Sequence, residues 1–113
     1  MQMKLDTLTL TSGDLARSRA FYSGKLGFRV IEDGEGTFIV DAGGVKLQVG
    51  KSESRAPLIQ AEPRLVFDTK ELARRCLELR DLGVSVDGPR KSPQGTYAEL
   101  ADPDGHPIVL WEK

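Results

Sequence analysis

Arg64 is the residue of this 113-residue chain whose chemistry points most directly to a ligand. A guanidinium group makes bidentate hydrogen bonds to a carboxylate, phosphate or sulfonate, so an inward-facing arginine favours an anionic ligand. Two other interpretations stay open: an internal ion pair with a carboxylate such as Glu99, and a side chain that extends into solvent. Phe38, Tyr97 and Trp111 would add stacking surface for a planar ligand, although Trp111 also suits a core or a dimer interface.

The other reactive side chains do not form a catalytic pattern. Cys76 lies on the apolar stripe of a predicted helix, which is typical of an inert core thiol. His106 follows a glycine in a predicted turn, so we expect it at the surface or as a cap, without the partner that a general base needs. The sequence contains no Gly-rich phosphate loop, nucleophile elbow or Cys/His metal cluster, and we predict no catalytic residue.

An internal repeat indicates how these residues are positioned. Four matches recur in the same order, at an offset that drifts only from 57 to 61 residues: 14–17 with 71–74, 26–28 with 82–84, 36–38 with 95–97, and Gly44 with Gly105. A repeat of this kind predicts two copies of one structural module.

Each half of the chain predicts a strand, a helix and three further strands. The predicted strands are 5–11, 28–32, 37–41 and 45–49 in the first half, and 64–68, 84–87, 96–101 and 107–112 in the second. Asp14 is the predicted N-cap of the first helix and Thr69 that of the second, and Gly27 and Gly83 end them. A polar linker, residues 50–63, separates two βαβββ modules of about 1–50 and 63–113. The pattern predicts one α+β domain, residues 1–113, whose two sheets pair around a cleft.

The period-two alternation of the strands assigns side chains to faces. Leu8, Leu10, Leu47, Leu65 and Ile108 should pack against the helices. Phe38 and Tyr97 match in the repeat and are placed as a symmetric pair that faces away from the helices. The residues predicted to line a ligand site on that side are Thr7, Thr9, Phe38, Gln48, Arg64, Tyr97, Val109 and Trp111.

Several motifs carry a resemblance to a known family. Residues 14–22 followed by Leu26-Gly27-Phe28, the segments 65–67, 71–72 and 82–84, and the turn of residues 102–108 resemble the vicinal-oxygen-chelate superfamily, also called the glyoxalase/bleomycin-resistance/extradiol-dioxygenase fold. The resemblance covers almost the whole chain and implies the same paired modules. Because that fold hosts many activities, it does not imply one function.

The resemblance also implies where a metal would lie. Active members hold a divalent ion with His, Glu or Gln side chains on the first, fourth, fifth and eighth strands, and here those positions are Thr7, Gln48, Arg64 and Val109. A hydroxyl is a weak ligand, valine has no donor and a guanidinium repels a cation. We therefore predict no metal and no cofactor.

Composition restricts the partners. A formal net charge of −1 offers no field that would attract nucleic acid or an anionic membrane. Cys76 is the only cysteine, and no apolar run approaches the roughly 20 residues that span a bilayer, so we expect a cytoplasmic protein. The resemblance implies a homodimer.

These observations lead to a metal-free small-molecule-binding protein of the glyoxalase/bleomycin-resistance type, with an anionic or aromatic ligand. Two alternatives remain. One is an enzyme of the same superfamily (lyase, isomerase or dioxygenase) with divergent metal ligands, or a metal-free enzyme that uses Glu99 or Tyr97 as acid or base. The other is an accessory domain for protein interaction.

Overall fold

The computed structural model of the protein describes residues 3, 5–51 and 64–113, and it divides into two compact units, Met1–Gln60 (unit 1) and Ala61–Lys113 (unit 2). Each unit contains a strand, a helix and three strands that form one four-stranded mixed sheet, so the predicted α+β fold of two βαβββ modules is confirmed. Most of the predicted linker, residues 52–63, lies outside the described residues. The single-domain assignment and the pairing of the two sheets around a cleft stay predictions.

Unit 1 has the sheet order β1-β4-β3-β2, with β1 parallel to β4 and the other neighbours antiparallel. The strands are β1 (Thr7–Ser12), β2 (Arg29–Gly34), β3 (Thr37–Asp41) and β4 (Lys46–Lys51). The helix α1 (Leu15–Arg19) packs against β3 and β4. The helix-facing side of the sheet buries Leu10, Leu47 and Val49, as the alternation predicted.

The helix of unit 1 begins as predicted and ends in a wider turn. The Asp14 side chain accepts a hydrogen bond from the backbone N–H of Arg17 at 3.1 Å, which confirms the N-cap. After α1 the chain continues as a π-helical segment, Ala20–Lys25, which the 3.6-residue spacing did not predict. Gly27 follows at φ +78, a left-handed conformation that glycine adopts without strain, and it ends the helix as expected.

Unit 2 repeats this arrangement with the sheet order β5-β8-β7-β6 and β5 parallel to β8. The strands are β5 (Leu65–Asp68), β6 (Asp87–Ser92), β7 (Gly95–Ala101) and β8 (Pro107–Glu112), and the helix is α2 (Leu72–Asp81). The helix packs against β6, β7 and β8 and buries Leu72, Cys76 and Leu79, so the predicted apolar stripe is confirmed for these three residues. Leu82, also assigned to the stripe, is the C-cap of α2 and is 49% exposed.

The predicted cap of α2 is wrong. The Thr69 hydroxyl donates to the carbonyl of Phe67 and does not reach the helix. Instead, the carboxylate of Glu112 at the end of β8 accepts hydrogen bonds from the backbone N–H groups of Glu71 (2.8 Å) and Leu72 (3.3 Å). These N–H groups belong to the first turn and have no partner within the helix. A residue 40 positions away in the sequence therefore completes the helix start.

The sixth strand also differs from its prediction, which placed it at 84–87. Val84 is buried, but its N–H donates to the carbonyl of Leu79, so it continues the end of α2 rather than joining the sheet. The strand itself is Asp87–Ser92, whose polar sequence has no apolar alternation to reveal it. Among the described residues, no helix is long and apolar enough to cross a membrane.

Candidate ligand-binding site

Each sheet has one face that packs against its helix and a second face that we call its far face. In unit 2 the side chain of Glu112 contacts the start of α2, and Ile108 and Leu110 are buried on the same side. Because side chains alternate along a strand, Val109 and Trp111 lie on the far face. The strand register places Val66 opposite Val109, and Tyr97 opposite Trp111, on that face.

The far face of unit 2 carries an aromatic pair. The rings of Tyr97 and Trp111 are stacked, with centroids 6.0 Å apart and planes inclined by 21°. Both side chains are half-buried, so part of each ring remains accessible. The neighbouring Val66 is 62% exposed, which extends the apolar surface beside the pair. The sequence placed Tyr97, Val109 and Trp111 in the site separately, and the structure brings all three onto one face.

Arg90 lies at the edge of this aromatic pair and was not identified from the sequence. It is opposite Tyr97 in the β6–β7 ladder, and its guanidinium contacts the carboxylate of Asp87 at 2.7 Å. The charge of Asp87, and then a hydrogen bond with the Tyr97 side chain, raise the pKa of Arg90 above its ordinary value. The site therefore has a permanent cation beside an aromatic surface. The sequence of β6 around Arg90 is polar and shows no apolar alternation, so it did not indicate this residue. The strand register shows that Arg90 lies beside Tyr97.

Arg64, the arginine that the sequence favoured, is exposed and immediately precedes β5. Within residues 3, 5–51 and 64–113 its side chain forms no ion pair, so the pairing with Glu99 considered above is not present. Glu99 lies instead between Asp87 and Val109 on the far face. Arg64 stays a predicted ligand contact.

The far face of unit 1 carries polar residues. Thr9, Gln48 and Ile39 are side by side across β1, β4 and β3, in agreement with the predicted direction of Thr9 and Gln48. The Thr7 hydroxyl donates to the carboxylate of Asp6 at 2.7 Å.

The predicted placement of Phe38 is wrong. It is opposite Val49 in the β3–β4 ladder, on the helix-facing side, and is 1% exposed. The ion pair between Arg19 of α1 and Asp33, which is opposite Phe38 on β2, confirms that this side faces the helix. Phe38 is a core residue and not the counterpart of Tyr97.

His106 differs from its prediction as well. It is 7% exposed, and its Nδ1 lies 2.5 Å from the buried carboxylate of Asp102. The other oxygen of Asp102 accepts the backbone N–H groups of Asp104 and His106, at 2.9 and 2.8 Å. Asp102, Asp104 and His106 are also the one group of three metal-type ligands among the described residues. Both Asp102 oxygens therefore make contacts within the turn of residues 102–106, and we interpret the cluster as one that stabilises this turn.

Comparisons with known proteins agree with the architecture. Residues 4–110 match the sequence profile of the Glyoxalase/Bleomycin resistance protein/Dioxygenase superfamily. The chain belongs to this superfamily. A comparison with curated proteins found no significant match.

Several solved structures resemble the whole chain. TnmS3, an antibiotic binding protein from Streptomyces sp. CB03234, is 24% identical, with 98% of this chain and 96% of that chain covered and a TM-score of 0.79. A glyoxalase/bleomycin resistance protein from the same organism is 26% identical, with 96% and 99% covered and a TM-score of 0.76. A glyoxalase family protein from Bacillus anthracis is 19% identical, with 100% and 97% covered and a TM-score of 0.83.

The four positions at which superfamily members hold a metal do not fit one here. Val109 is buried and has no donor atom, and Arg64 brings a positive charge. The Thr7 hydroxyl is bound to Asp6. Gln48 alone offers a neutral amide oxygen, which is a weak ligand without charged partners. Apart from Gln48, these four side chains offer a divalent ion no suitable ligand.

Proposed function

We propose that this protein binds a planar aromatic small molecule, without a metal, on the far face of unit 2. The observation that carries the proposal is the stacked pair of Tyr97 and Trp111, both partly accessible and next to the exposed Val66. Small-molecule sites combine aromatic and apolar surface with a few polar groups that orient the ligand. Arg64, which forms no ion pair among the described residues, supplies a group for a carboxylate or another acidic substituent, whereas Arg90 is already paired with Asp87.

Stacking gives this surface its selectivity for planar compounds. Offset or parallel aromatic contacts contribute about 0.5–1.5 kcal/mol beyond the burial of apolar area. A saturated compound of the same size would bury similar area but lose that contribution. One relative, TnmS3, is an antibiotic binding protein, which supports a binding function in the superfamily without identifying the ligand of this chain.

The single tryptophan makes the proposal directly testable. Because Trp111 is the only tryptophan, a ¹H–¹⁵N spectrum contains one indole signal, and it reports on the site. We would titrate 2-naphthoate, its neutral carboxamide and its saturated decalin analogue into the protein. We expect a saturable shift of the indole signal with both aromatic probes, and binding of the decalin analogue that is weaker by about fivefold, the equivalent of about 1 kcal/mol.

Variants separate the stacking pair from general apolar binding. Tyr97→Leu should weaken naphthoate binding by a similar factor, measured by calorimetry. Phe28→Leu, a half-buried aromatic of unit 1, is the matched control and should leave the affinity unchanged. Equal affinity for the aromatic and saturated probes, or an unaffected Tyr97→Leu variant, would overturn the proposal.

Metal independence is tested separately by elemental analysis. Protein purified without chelator and exposed to Fe, Mn, Ni and Zn should hold no stoichiometric metal, because only Gln48 of the four positions can coordinate one. About one metal per chain, measured by inductively coupled plasma mass spectrometry, would contradict this part of the proposal.

We also propose a homodimer, as expected from the superfamily. The exposed apolar side chain of Val66 beside the aromatic pair is compatible with further burial by a second copy. Light scattering coupled to size-exclusion chromatography should give twice the 12.4 kDa chain mass, and a monomer mass at all concentrations would exclude the dimer.

A further inference from the structure

Unit 1 contains a small cavity beside β2, β3 and β4. Its volume is about 170 Å³, and it is lined by Glu32, Asp33, Gly34, Thr37, Phe38, Ile39 and Gln48. At about 30 Å³ per water molecule, this volume is equivalent to about six waters. It suits a small functional group with a short apolar substituent, and it is too small for a whole drug-sized compound.

Thr37 has a glycine on each neighbouring strand. In the sheet register Thr37 lies between Gly34 on β2 and Gly50 on β4. A Cβ atom added to either glycine would meet no heavy atom closer than 3.9 Å, so the positions beside Thr37 are open. A shift in register between Val30 and Glu32 then places Glu32 opposite Ile39, in the row that continues to Gln48. The cavity is therefore a consequence of strand pairing.

Among the described residues, three of the polar side chains that line the cavity have no hydrogen-bond or ion-pair partner. The Thr37 Oγ1 is buried and has no hydrogen bond. Within the described part of the chain, neither the Glu32 carboxylate nor the Gln48 amide forms a side-chain hydrogen bond or ion pair. The Glu32 carboxylate is exposed and the Gln48 amide is half-buried, so both can accept hydrogen bonds from a bound group.

The charge around the cavity is negative. No lysine or arginine lines it. Asp33 is already paired with Arg19 at 2.9 Å, which leaves Glu32 as the lining carboxylate whose charge is not compensated. A single carboxylate is too little charge for a divalent cation, which requires several charged oxygen ligands. An anion would be repelled.

We propose that this cavity binds a primary ammonium group. An –NH₃⁺ group has one positive charge and three N–H donors. The cavity offers one free carboxylate (Glu32) and one amide oxygen (Gln48), while Ile39 supplies an apolar wall for the attached carbon chain. The ligand class is a small primary amine, or a larger compound that carries one. The proposal does not depend on the aromatic site, since its residues all belong to unit 1.

The probes for this site differ in donors and in charge. We would titrate n-butylammonium, tetramethylammonium and butyrate into ¹⁵N-labelled protein and follow the backbone signals of Thr37 and Gln48. We expect saturable shifts with n-butylammonium alone, because tetramethylammonium has the charge without the donors and butyrate has the wrong charge. Equal responses to both cations, or no response of these signals to n-butylammonium, would overturn the proposal.

Matched variants test the residues. Glu32→Gln removes the charge with little change of shape and should weaken n-butylammonium binding by about tenfold, whereas Glu35→Gln removes an exposed acid of the adjacent turn and should have no effect. Gly34→Ala should reduce binding by filling the cavity, at a position where φ is not in the left-handed region and the new Cβ meets no close atom. An unaltered affinity in Glu32→Gln would contradict the assignment.

Variants keep this test separate from that of the proposed function. Tyr97→Leu should leave the n-butylammonium affinity unchanged and Glu32→Gln should leave the naphthoate affinity unchanged, because the two sites share no residue. The result for one proposal is then independent of the result for the other. Loss of n-butylammonium binding in Tyr97→Leu would contradict an ammonium site formed by unit 1 alone.

Discussion

Replacement of Glu112 should show that the end of β8 stabilises the start of α2. Its carboxylate accepts two first-turn N–H groups, at 2.8 and 3.3 Å, and the first turn of α2 contains no acidic residue that could substitute. The loss of a capping acceptor costs about 1 kcal/mol, and the loss of a negative charge near a helix N-terminus costs about 0.3–1 kcal/mol. We therefore expect Glu112→Ala to lower the free energy of unfolding by about 1.5 kcal/mol.

Thermal and urea unfolding followed by circular dichroism measure this change. For a chain of this length 1 kcal/mol corresponds to about 4 °C in Tm, so Glu112→Ala should lower Tm by about 6 °C. Glu112→Gln keeps one acceptor oxygen and should lower it by about half as much. Thr69→Ala is the control, because its hydroxyl contacts only the Phe67 carbonyl, and we expect a change within about 0.5 kcal/mol.

Hydrogen exchange locates the effect. The amide protons of Glu71 and Leu72 should exchange faster in the Glu112 variants than in the parent protein, because they lose their acceptor. If Thr69→Ala destabilised the protein as much as Glu112→Ala, or if the Leu72 amide exchanged at the same rate in both, the long-range cap would be refuted.

Three further predictions follow from the packing and charges of single residues. Phe38→Ala should reduce stability by about 3–5 kcal/mol and Ile39→Ala by about 1 kcal/mol in urea titrations, since only Phe38 is in the core; similar losses would reverse the face assignment. Hydrogen bonds from the backbone N–H groups of Gly44 and Gly43 lower the pKa of Asp41 below its ordinary value of 3.8. The Asp41 carboxylate should therefore stabilise the folded state fully above pH 3.8, and this stabilisation should disappear as the pH falls through the lowered pKa. Carboxyl NMR titration, with Asp41→Asn as the control for pH-dependent stability, would detect this, and an ordinary titration midpoint would contradict it. Burial raises the pKa of the Cys76 thiol, so a thiol reagent at mildly alkaline pH should react slowly with folded protein and fast after denaturation, and rapid labelling of the folded state would disprove the buried placement.

The local signals in the sequence predicted most of the fold. Asp14 caps the first helix, and Gly27 and Gly83, at φ +78 and +86, end the two helices as expected. Alternation along the strands assigned the buried faces of β4 and β8 correctly, with Leu47 and Ile108 in the cores. These features depend on residues that are close together in the sequence, so the spacing of residue types predicts them.

The wrong placement of Phe38 depends on strand register. The repeat matched Phe38 with Tyr97, yet Phe38 is opposite Val49 on the helix-facing side, whereas Tyr97 is opposite Trp111 on the far face. A shift of one residue moves a side chain to the other face of a sheet. The register of a strand is set by the geometry of its hairpin. The apolar patterns of β3 and β7 did not indicate that Phe38 and Tyr97 point to different faces.

The sequence alone indicated the two βαβββ modules, because the internal repeat and the local periodicity depend only on residue type and spacing. Its motifs resembled those of the superfamily to which the profile match then assigned the chain. Tertiary structure decided the contacts that depend on strand register or on segments far apart in the chain: Arg90 beside the Tyr97–Trp111 pair, and Glu112 at the start of α2. It also brought Glu32, Ile39 and Gln48 into one row across β2, β3 and β4. Such contacts follow from how the strands pair, and residue type and local periodicity do not encode that pairing.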